Sequence, residues 1–439
     1  MKMIFKYFIL FSLINNAIAD EIVFRVNPTT IRTQLFSKNI TLLQALNNVQ
    51  NSKLNVNMAR AKLLPSLNLG VLLPALANPT FLLSSVTFLF PFLVPSNWAV
   101  LKQEKLLFES DKSSYKALQL NVLSNALSLY YTYLNDLEVK QIFVDQSEII
   151  SRLYLNLKKQ SDVLGNITTE ELSLASAQWE DAKIKVSKLE ELLIAEKAAV
   201  RTILGLPLGA DLILETTELI PSEFENKSLA EVIIRSHDSS PEFVQLEYLV
   251  KAAKAGKFAK FFGFLTNASV VGSSTISNSS PFDSLKTAGG FSFGVDNLVN
   301  LKIADNNAAA IKLRQDQLQE ENERVAETIV GQLSEIKLQQ KESLKLLEDR
   351  LRILESQQRQ FALGLMPLQN LLLSQSQLTD SRVNHLKNQM DLNLQRLTLL
   401  RLVVDGDFSE VKGCNAAEQH ATRGIFHRNK EQSLDEICK

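Results

Sequence analysis

One spacing pattern occurs twice in this chain of 439 residues and limits what the chain can fold into. A signature of Gly, Leu and Gln recurs 199 residues later at the same internal spacing: Gly165, Leu172 and Gln178, then Gly364, Leu371 and Gln377. An internal repeat of this kind is typical of a chain built from two copies of one structural unit. We therefore predict a first structural repeat over residues 40–227 and a second over residues 228–406.

A long helix is predicted before each of these glycines and a shorter helix after it. The long stretches, residues 96–164 and 297–363, contain no proline and carry apolar residues at alternating steps of three and four. Helices of this length would each be about 100 Å long. The helix after the first glycine has coiled-coil spacing, with Glu196 as the exception, and a capping box of Thr168 and Glu171 predicts its start. The predicted fold class is therefore mainly α, with two long coiled-coil hairpins.

Each predicted repeat also contains a shorter helical stretch, at about residues 40–64 and 228–262. Four strand segments are predicted between the short and the long helices, at about residues 66–74, 82–94, 264–276 and 287–295. Apolar and polar residues alternate in most of these segments, and none contains Lys, Arg, Asp or Glu. They add a small antiparallel β part to the predicted fold.

Uncharged, alternating strands fit the wall of a β-barrel that faces lipid, where a lysine costs a few kcal/mol. They also fit two ordinary buried hairpins, and the composition leaves both interpretations open. Four strands are too few to close a barrel, so strands that enter a membrane would require several chains to share one barrel.

The two ends of the chain differ in composition from the repeats. Residues 1–19 have a basic start, a short apolar stretch and an Ala-x-Ala cleavage site, which predicts a secretory signal peptide. An N-terminal extension over residues 20–39 would then begin the mature chain. The tail, residues 407–439, contains both cysteines, Cys414 and Cys438. In an exported chain they can form a disulfide or remain two thiols, and the sequence leaves both alternatives open.

Composition and motifs argue against two functional classes. The chain has 47 basic and 48 acidic residues, a balance that provides no electrostatic basis for binding nucleic acid. Its four histidines lack metalloprotease spacing, and neither a nucleophile elbow nor a phosphate-binding loop is present. We therefore expect no enzymatic activity, no cofactor and no metal. If the predicted strands form a membrane barrel, the chain is part of a channel, and the alternative is a periplasmic adaptor or a structural coiled-coil protein.

The element order resembles that of the TolC-type outer-membrane efflux proteins over about residues 40–406. The segment from Ala59 to Leu67 resembles that family's entry into its first strand, and the two glycine segments resemble its hairpin tips. The resemblance implies a homotrimer, with a twelve-stranded β-barrel in the lipid of a Gram-negative outer membrane and an α-helical tunnel through the periplasm. It implies a passive exit duct for efflux or type I secretion, whose partners are a periplasmic adaptor protein and an inner-membrane pump. Whether drugs or proteins are the cargo stays open.

The resemblance also assigns roles to residues near the two tips. The adaptor-docking residues would be Val163, Leu164, Gly165, Ala362, Leu363 and Gly364. The pore constriction would contain Glu170, Glu171, Asn370 and Leu373. The two glutamates would form a ring of carboxylates in a trimer, or would instead stabilise the start of their own helix. The second tip lacks the acidic residues of well-known members, so our hypothesis for it is a hydrophobic constriction that closes by dewetting.

Overall fold

The structure, a computed structural model, describes residues 23–64, 91–164, 167–262, 295–413, 419–420 and 432–433. The predicted signal peptide, Gly165, both cysteines and nearly all of the four predicted strands lie outside these residues. The chain divides into two compact units, each formed from three segments. The first contains residues 1–39, 123–221 and 332–397, and the second contains residues 40–122, 222–331 and 398–439.

Long helices dominate the described residues. The helices are α1 (Pro28–Lys38), α2 (Ile40–Ala61), α3 (Pro95–Leu164), α4 (Thr169–Ile203), α5 (Leu229–Ser239), α6 (Pro241–Phe262), α7 (Val295–Ala362) and α8 (Leu368–Val403). The strands are β1 (Val23–Val26), β2 (Asp211–Leu214), β3 (Gln419–His420) and β4 (Gln432–Ser433). The mainly α class is confirmed, since α3 and α7 contain 70 and 68 residues. Within the described helices, no apolar stretch is long enough to span a bilayer.

Several predicted boundaries are wrong. The stretch 228–262 is two helices rather than one, because Pro241 begins a new helix and Ser240 before it is extended, with φ −71° and ψ 119°. Proline cannot donate a backbone hydrogen bond and disfavours helical geometry in the residue before it. Pro91–Leu93, predicted as strand, form a 3-10 turn. Val295, predicted as the last residue of a strand, is the first residue of α7.

In the first unit, α3 and α4 form an antiparallel pair. Lys140 Nζ and Glu190 Oε1 are 2.9 Å apart, and the two residues lie 25 positions before and 25 positions after Gly165. Nearer the tip, the rings of Tyr154 and Trp179 stack with centroids 5.8 Å apart. The buried residues of α4 all belong to its predicted coiled-coil stripe: Ala175, Ala182, Leu193 and Val200.

The second hairpin of this unit, formed by α7 and α8, is paired in the same register. The Ser343 hydroxyl lies 2.9 Å from His385 Nδ1, and these residues lie 21 positions before and 21 positions after Gly364. Gln395 Nε2 donates to Gln332 Oε1 at 2.9 Å, again nearly equidistant from the glycine. In both hairpins, the paired residues lie at equal or nearly equal sequence distances from Gly165 or from Gly364. The two hairpins therefore have the same register, at positions 199 residues apart. The boundary between the repeats near residue 228 stays a prediction.

A small sheet that the sequence did not predict also belongs to the first unit. β1 pairs in parallel with β2, and Val23 lies opposite Asp211. Asn27 caps the following helix α1 through a box with Thr30. At the end of α4, Gly205 has φ +63°, and a Cβ there would lie 2.6 Å from the Lys38 carbonyl oxygen. Glycine is therefore required at this point both for the backbone conformation and for space.

In the second unit, polar contacts join segments that are distant in sequence. The Arg401 guanidinium contacts the Glu242 carboxylate and donates two hydrogen bonds, at 2.6 and 2.9 Å, to Asn121 Oδ1. The Ser222 hydroxyl donates to Asp405 Oδ2 at 2.8 Å. Burial on its own would raise the pKa of Glu242, but the charge and hydrogen bonds of Arg401 outweigh it and hold the pKa below its usual value. Because both partners are mostly shielded from water, removal of either one would leave an uncompensated charge and destabilise the unit.

Glu196, the exception in the stripe of α4, faces Asp136 on α3. Desolvation of Glu196, followed by the negative charge of Asp136 and a hydrogen bond between the two carboxyl groups, raises the pKa of Glu196 to about 7. The protonated form of Glu196 is therefore favoured in the folded hairpin. Above that pH, two negative charges face each other in the helix pair.

The pH dependence of stability follows from this raised pKa. Because the pKa rises from an ordinary value of 4.5 to about 7 on folding, the contribution of Glu196 to the free energy of unfolding is fully present below pH 4.5 and is lost as the pH rises to about 7. We expect Glu196→Gln to stabilise the protein at pH 8 by on the order of 1 kcal/mol, after allowance for solvent screening, and to have little effect at pH 5. Thermal denaturation at both pH values measures this. Glu191→Gln, on the exposed face of α4, is the matched control, and a Glu196→Gln effect that does not change with pH would contradict the account.

Candidate functional site

The two hairpin tips lie side by side in the first unit. One buried cluster contains residues of both hairpins: Leu157, Ala175, Leu368 and Leu372. Ile167, which follows the first tip, and Phe361, which precedes the second, both pack against this cluster. Each tip is therefore held in place by the neighbouring hairpin as well as by its own two arms.

The second tip turns at Gly364, which has φ +72°. The Gly364 N–H donates to the Phe361 carbonyl at 2.9 Å, and the Leu365 N–H donates to the Gln360 carbonyl at 2.9 Å. These are the two bonds of a Schellman motif, and they satisfy carbonyls that the end of α7 would otherwise leave without a partner. No atom lies within 4 Å of the position that a Cβ would take. Glycine is therefore needed here for the backbone conformation and not for space.

At the first tip, α4 begins with the predicted capping box. The Thr168 hydroxyl accepts from the Glu171 N–H at 3.1 Å, and Glu171 Oε2 accepts from the Thr168 N–H at 3.0 Å. The carboxylate of Glu171 thus stabilises the start of its own helix, which is one of the two roles expected for it from the sequence. Glu170 lies next to it in the first turn and is exposed. The carboxylate ring stays a prediction for both residues.

The corresponding start of α8 has a different chemistry. Pro367 and Asn370 stand 199 residues after Thr168 and Glu171. The Asn370 N–H donates to the Pro367 carbonyl at 3.2 Å, and the first turn of α8 contains no acidic residue. The second tip therefore lacks the negative charge that the first tip places at its helix start.

Apolar side chains are exposed at both tips. Val163 is 79% exposed, Leu363 is 73% exposed and Leu365 is 74% exposed. Of the other predicted docking residues, Leu164 is the last residue of α3 and Ala362 is an exposed residue at the end of α7. Exposed apolar groups that are grouped in this way are typical of protein–protein contact sites.

The predicted constriction residues of α8 are also exposed. Asn370 is exposed and Leu373 is 56% exposed, whereas Leu371 between them is buried. Leu174, which stands 199 residues before Leu373, instead packs against the buried cluster of the tips. The second hairpin thus has an exposed leucine where the first has a packed one.

Sequence reasoning missed a polar layer along α8. Arg350 Nη1 of α7 donates to Gln377 Oε1 of α8 at 2.6 Å. Four polar residues of α8 are buried: Ser374, Gln375, Thr379 and Ser381. A helix that buries polar residues beside apolar ones is covered on most of its surface. The sequence does contain a signal for this buried layer, because the run from Leu368 to Thr379 has no charged residue.

Within the described parts of the chain, no three His, Cys, Asp or Glu side chains are grouped as a metal site requires. The tips carry exposed apolar groups, and one of the two returning helices, α4, has a capped start.

The importance of the second turn can be tested with two glycines of α7 and its tip. Gly364→Ala should lower the free energy of unfolding by about 1 kcal/mol, because alanine is strained at φ +72°. Gly331→Ala, in the middle of α7 with open space around it, should raise that free energy by roughly 0.5–1 kcal/mol. Denaturant midpoints of the two variants measure both effects. Shifts of the same sign would argue against the turn described here.

Neither a protein-family model nor a characterised protein sequence matches the chain. Solved structures do match. The transmembrane channel CusC is 15% identical, with a TM-score of 0.66 over 86% of this chain and 92% of CusC. The outer-membrane channel OprN is 13% identical, with a TM-score of 0.66 over 87% of this chain and 90% of OprN. The open state of the MtrE outer-membrane channel of Neisseria gonorrhoeae is 13% identical, with a TM-score of 0.63 over 87% of this chain and 89% of MtrE.

These matches extend over most of each chain, so the similarity concerns the whole architecture and not one helical hairpin. At such low identity a structural match establishes the fold and leaves the activity to be argued separately. The chain has the fold of TolC-type outer-membrane channels, as the order of its elements predicted.

Proposed function

We propose that the chain is one subunit of an exit duct in the outer membrane of a Gram-negative bacterium. The duct is a passive conduit without enzymatic activity and belongs to a tripartite efflux or type I secretion system. The single observation that supports this most is the fold similarity to the channel CusC over 86% of this chain. Energy for transport would come from an inner-membrane pump, and a periplasmic adaptor protein would connect that pump to the hairpin tips.

A homotrimer is part of the proposal. Both hairpins expose large apolar residues, among them Ile184, Leu192 and Ile194 on α4, and Leu338, Leu344 and Leu346 on α7. Exposed leucines and isoleucines at this density favour burial against a neighbouring copy. Because α4 belongs to one hairpin and α7 to the other, a contact between α7 of one copy and α4 of the next would use both sets. Such a heterologous contact closes into a ring of three when each copy is rotated by a third of a turn from the last.

The adaptor would dock at the exposed tips. Val163, Leu363 and Leu365 together provide an apolar surface at the ends of both hairpins. Gly364 has open space around its Cα, which allows a partner helix to approach the backbone closely. Opening of the duct would then be a movement of the tip hairpins, with Leu373 as the hydrophobic constriction of the closed state.

Membrane location and oligomeric state test the proposal directly. Full-length chain expressed in a Gram-negative host should sediment with the outer membrane and behave in detergent as a species of about three times the subunit mass. Ile194→Asp, at 72% exposure on α4, should reduce the amount of trimer, because a charge would be buried in the contact. Asn384→Asp, at an exposed polar site on α8 outside the proposed contact, is the matched control. A soluble periplasmic monomer would contradict the duct and favour the adaptor or coiled-coil alternative.

The constriction can be tested by conductance in planar bilayers. Leu373→Asp and Leu373→Asn should both increase the conductance of the closed channel, because either polar side chain keeps the passage wet. Only Leu373→Asp should also increase cation selectivity, since it adds a ring of carboxylates. Asn384→Asp, an exposed site further along α8, controls for added charge. If both Leu373 variants conduct as the wild type does, the dewetting hypothesis fails.

A further inference from the structure

A groove runs along α3 and α6 in the second unit, with a volume of about 490 Å³. It lies near the first residues of α3 and the last residues of α6. In the sequence, these ends are next to the two predicted strand pairs. α6 ends at Phe262, directly before the segment that contains the strands predicted at 264–276 and 287–295, and α3 begins at Pro95, just after the strand predicted at 82–94. Both Phe262 and Pro95 line the groove.

The backbone of α6 approaches α3 closely beside this groove. A Cβ at Gly256 would lie 3.0 Å from the side-chain amide of Gln103. The end of the Gln103 side chain therefore lies against Gly256, and the small residues Ala99 and Ala255 leave room on the lining side.

The chemistry of the lining changes from one end of the groove to the other. Along α6, Lys251 and Lys254 are followed by Phe258 and Phe262, which all lie on one face at helical spacing. On the antiparallel helix α3, Lys102 lies about two turns beyond the first helical residue. Three lysines therefore line the end away from the predicted strands, and apolar groups line the end next to them. None of the residues that line the groove is acidic.

The charge of the lysine end is partly balanced by a neighbour. Lys251 Nζ lies 2.5 Å from Glu247 Oε1, one turn earlier on α6. Because Glu247 does not line the groove, its carboxylate offsets one of the three positive charges from outside. The lysine end of the groove therefore keeps a net positive charge that an anion can neutralise.

A second observation concerns the surface around the apolar end. Large aromatic side chains are exposed there: Phe92, Trp98, Phe258 and Phe261. The Trp98 indole N–H donates to the Phe92 carbonyl at 2.7 Å, which holds one of these rings in place. Exposed aromatic residues next to lysines with long apolar stems are typical of the boundary between membrane and water.

We propose that this groove binds an anionic phospholipid of the periplasmic leaflet. The headgroup phosphate would contact Lys102, Lys251 and Lys254, and an acyl chain would lie against Phe258 and Phe262. A lipid of this leaflet points its acyl chains into the membrane and its headgroup into the periplasm. The groove has the same polarity, since its apolar end is next to the predicted membrane strands and its lysine end is away from them. This inference rests on the proposed function, which puts those strands in the outer membrane.

Native mass spectrometry of the purified full-length chain in detergent tests the proposal. Phosphatidylglycerol should bind with higher affinity than phosphatidylethanolamine of the same acyl chains. A variant with Lys102→Gln, Lys251→Gln and Lys254→Gln should bind phosphatidylglycerol roughly 10- to 100-fold more weakly, with little change for phosphatidylethanolamine. The matched control changes three exposed lysines of the first unit to glutamine: Lys158, Lys159 and Lys188. Phe258→Ser should weaken both lipids.

Four outcomes would overturn the proposal. The first is a triple variant that binds phosphatidylglycerol as well as the wild type does, and the second is equal weakening by the control lysines. The third is full competition by glycerol 3-phosphate, which would indicate a site for free phosphate. The fourth is lipid bound to monomers and absent from the assembled oligomer, which would show that a neighbouring copy covers the groove. Failure of the proposed function would appear separately, as a soluble chain in the fractionation experiment.

Discussion

The structure depends on antiparallel pairing of helices that are too long to be stabilised by a globular core. A helix of 70 residues such as α3 is stable only if a partner covers its apolar stripe in a fixed register. That register is recorded by pairs equidistant from the tips: Lys140 with Glu190, and Ser343 with His385. The tips of the two hairpins lie side by side and share one buried cluster.

The same pairing leaves three helices incompletely covered. Exposed leucines and isoleucines lie on α3, α4 and α7, whereas α8 buries most of its leucines. The tips, similar in backbone, differ in chemistry, since Glu171 caps the first returning helix and Pro367 begins the second without a carboxylate. A duct built from such subunits would present two different tip surfaces to an adaptor, one acidic at its helix start and one apolar.

Local signals made much of this fold predictable. The starts of α3 and α4 were predicted within a residue or two, because a proline-free periodic run and the Thr168–Glu171 box mark them directly. The break at Pro241 was missed even though proline signals it, since the apolar periodicity continues across it. The pairing of β1 with β2 joins four-residue strands nearly 190 residues apart, and no local pattern specifies that contact.

Within the candidate site, the sequence predicted which residues lie at the tips. It did not predict how those residues pack. The cluster of Leu157, Ala175 and Leu368 depends on how one hairpin lies against the other, which periodicity within each helix does not determine. The hydrogen bond between Arg350 and Gln377 likewise pairs residues that look unremarkable in isolation. The spacing of apolar residues in the sequence thus predicts the helices and turns of each hairpin. The contacts between hairpins are seen only in the three-dimensional structure.

Electron microscopy of the detergent-solubilised full-length chain tests the central claim most directly. If the chain is a duct subunit, projections along the helix axis should show three copies around a central opening, with the exposed edges of α4 and α7 in contact between neighbours. Particles that contain a single copy, or several copies packed without an opening, would contradict it.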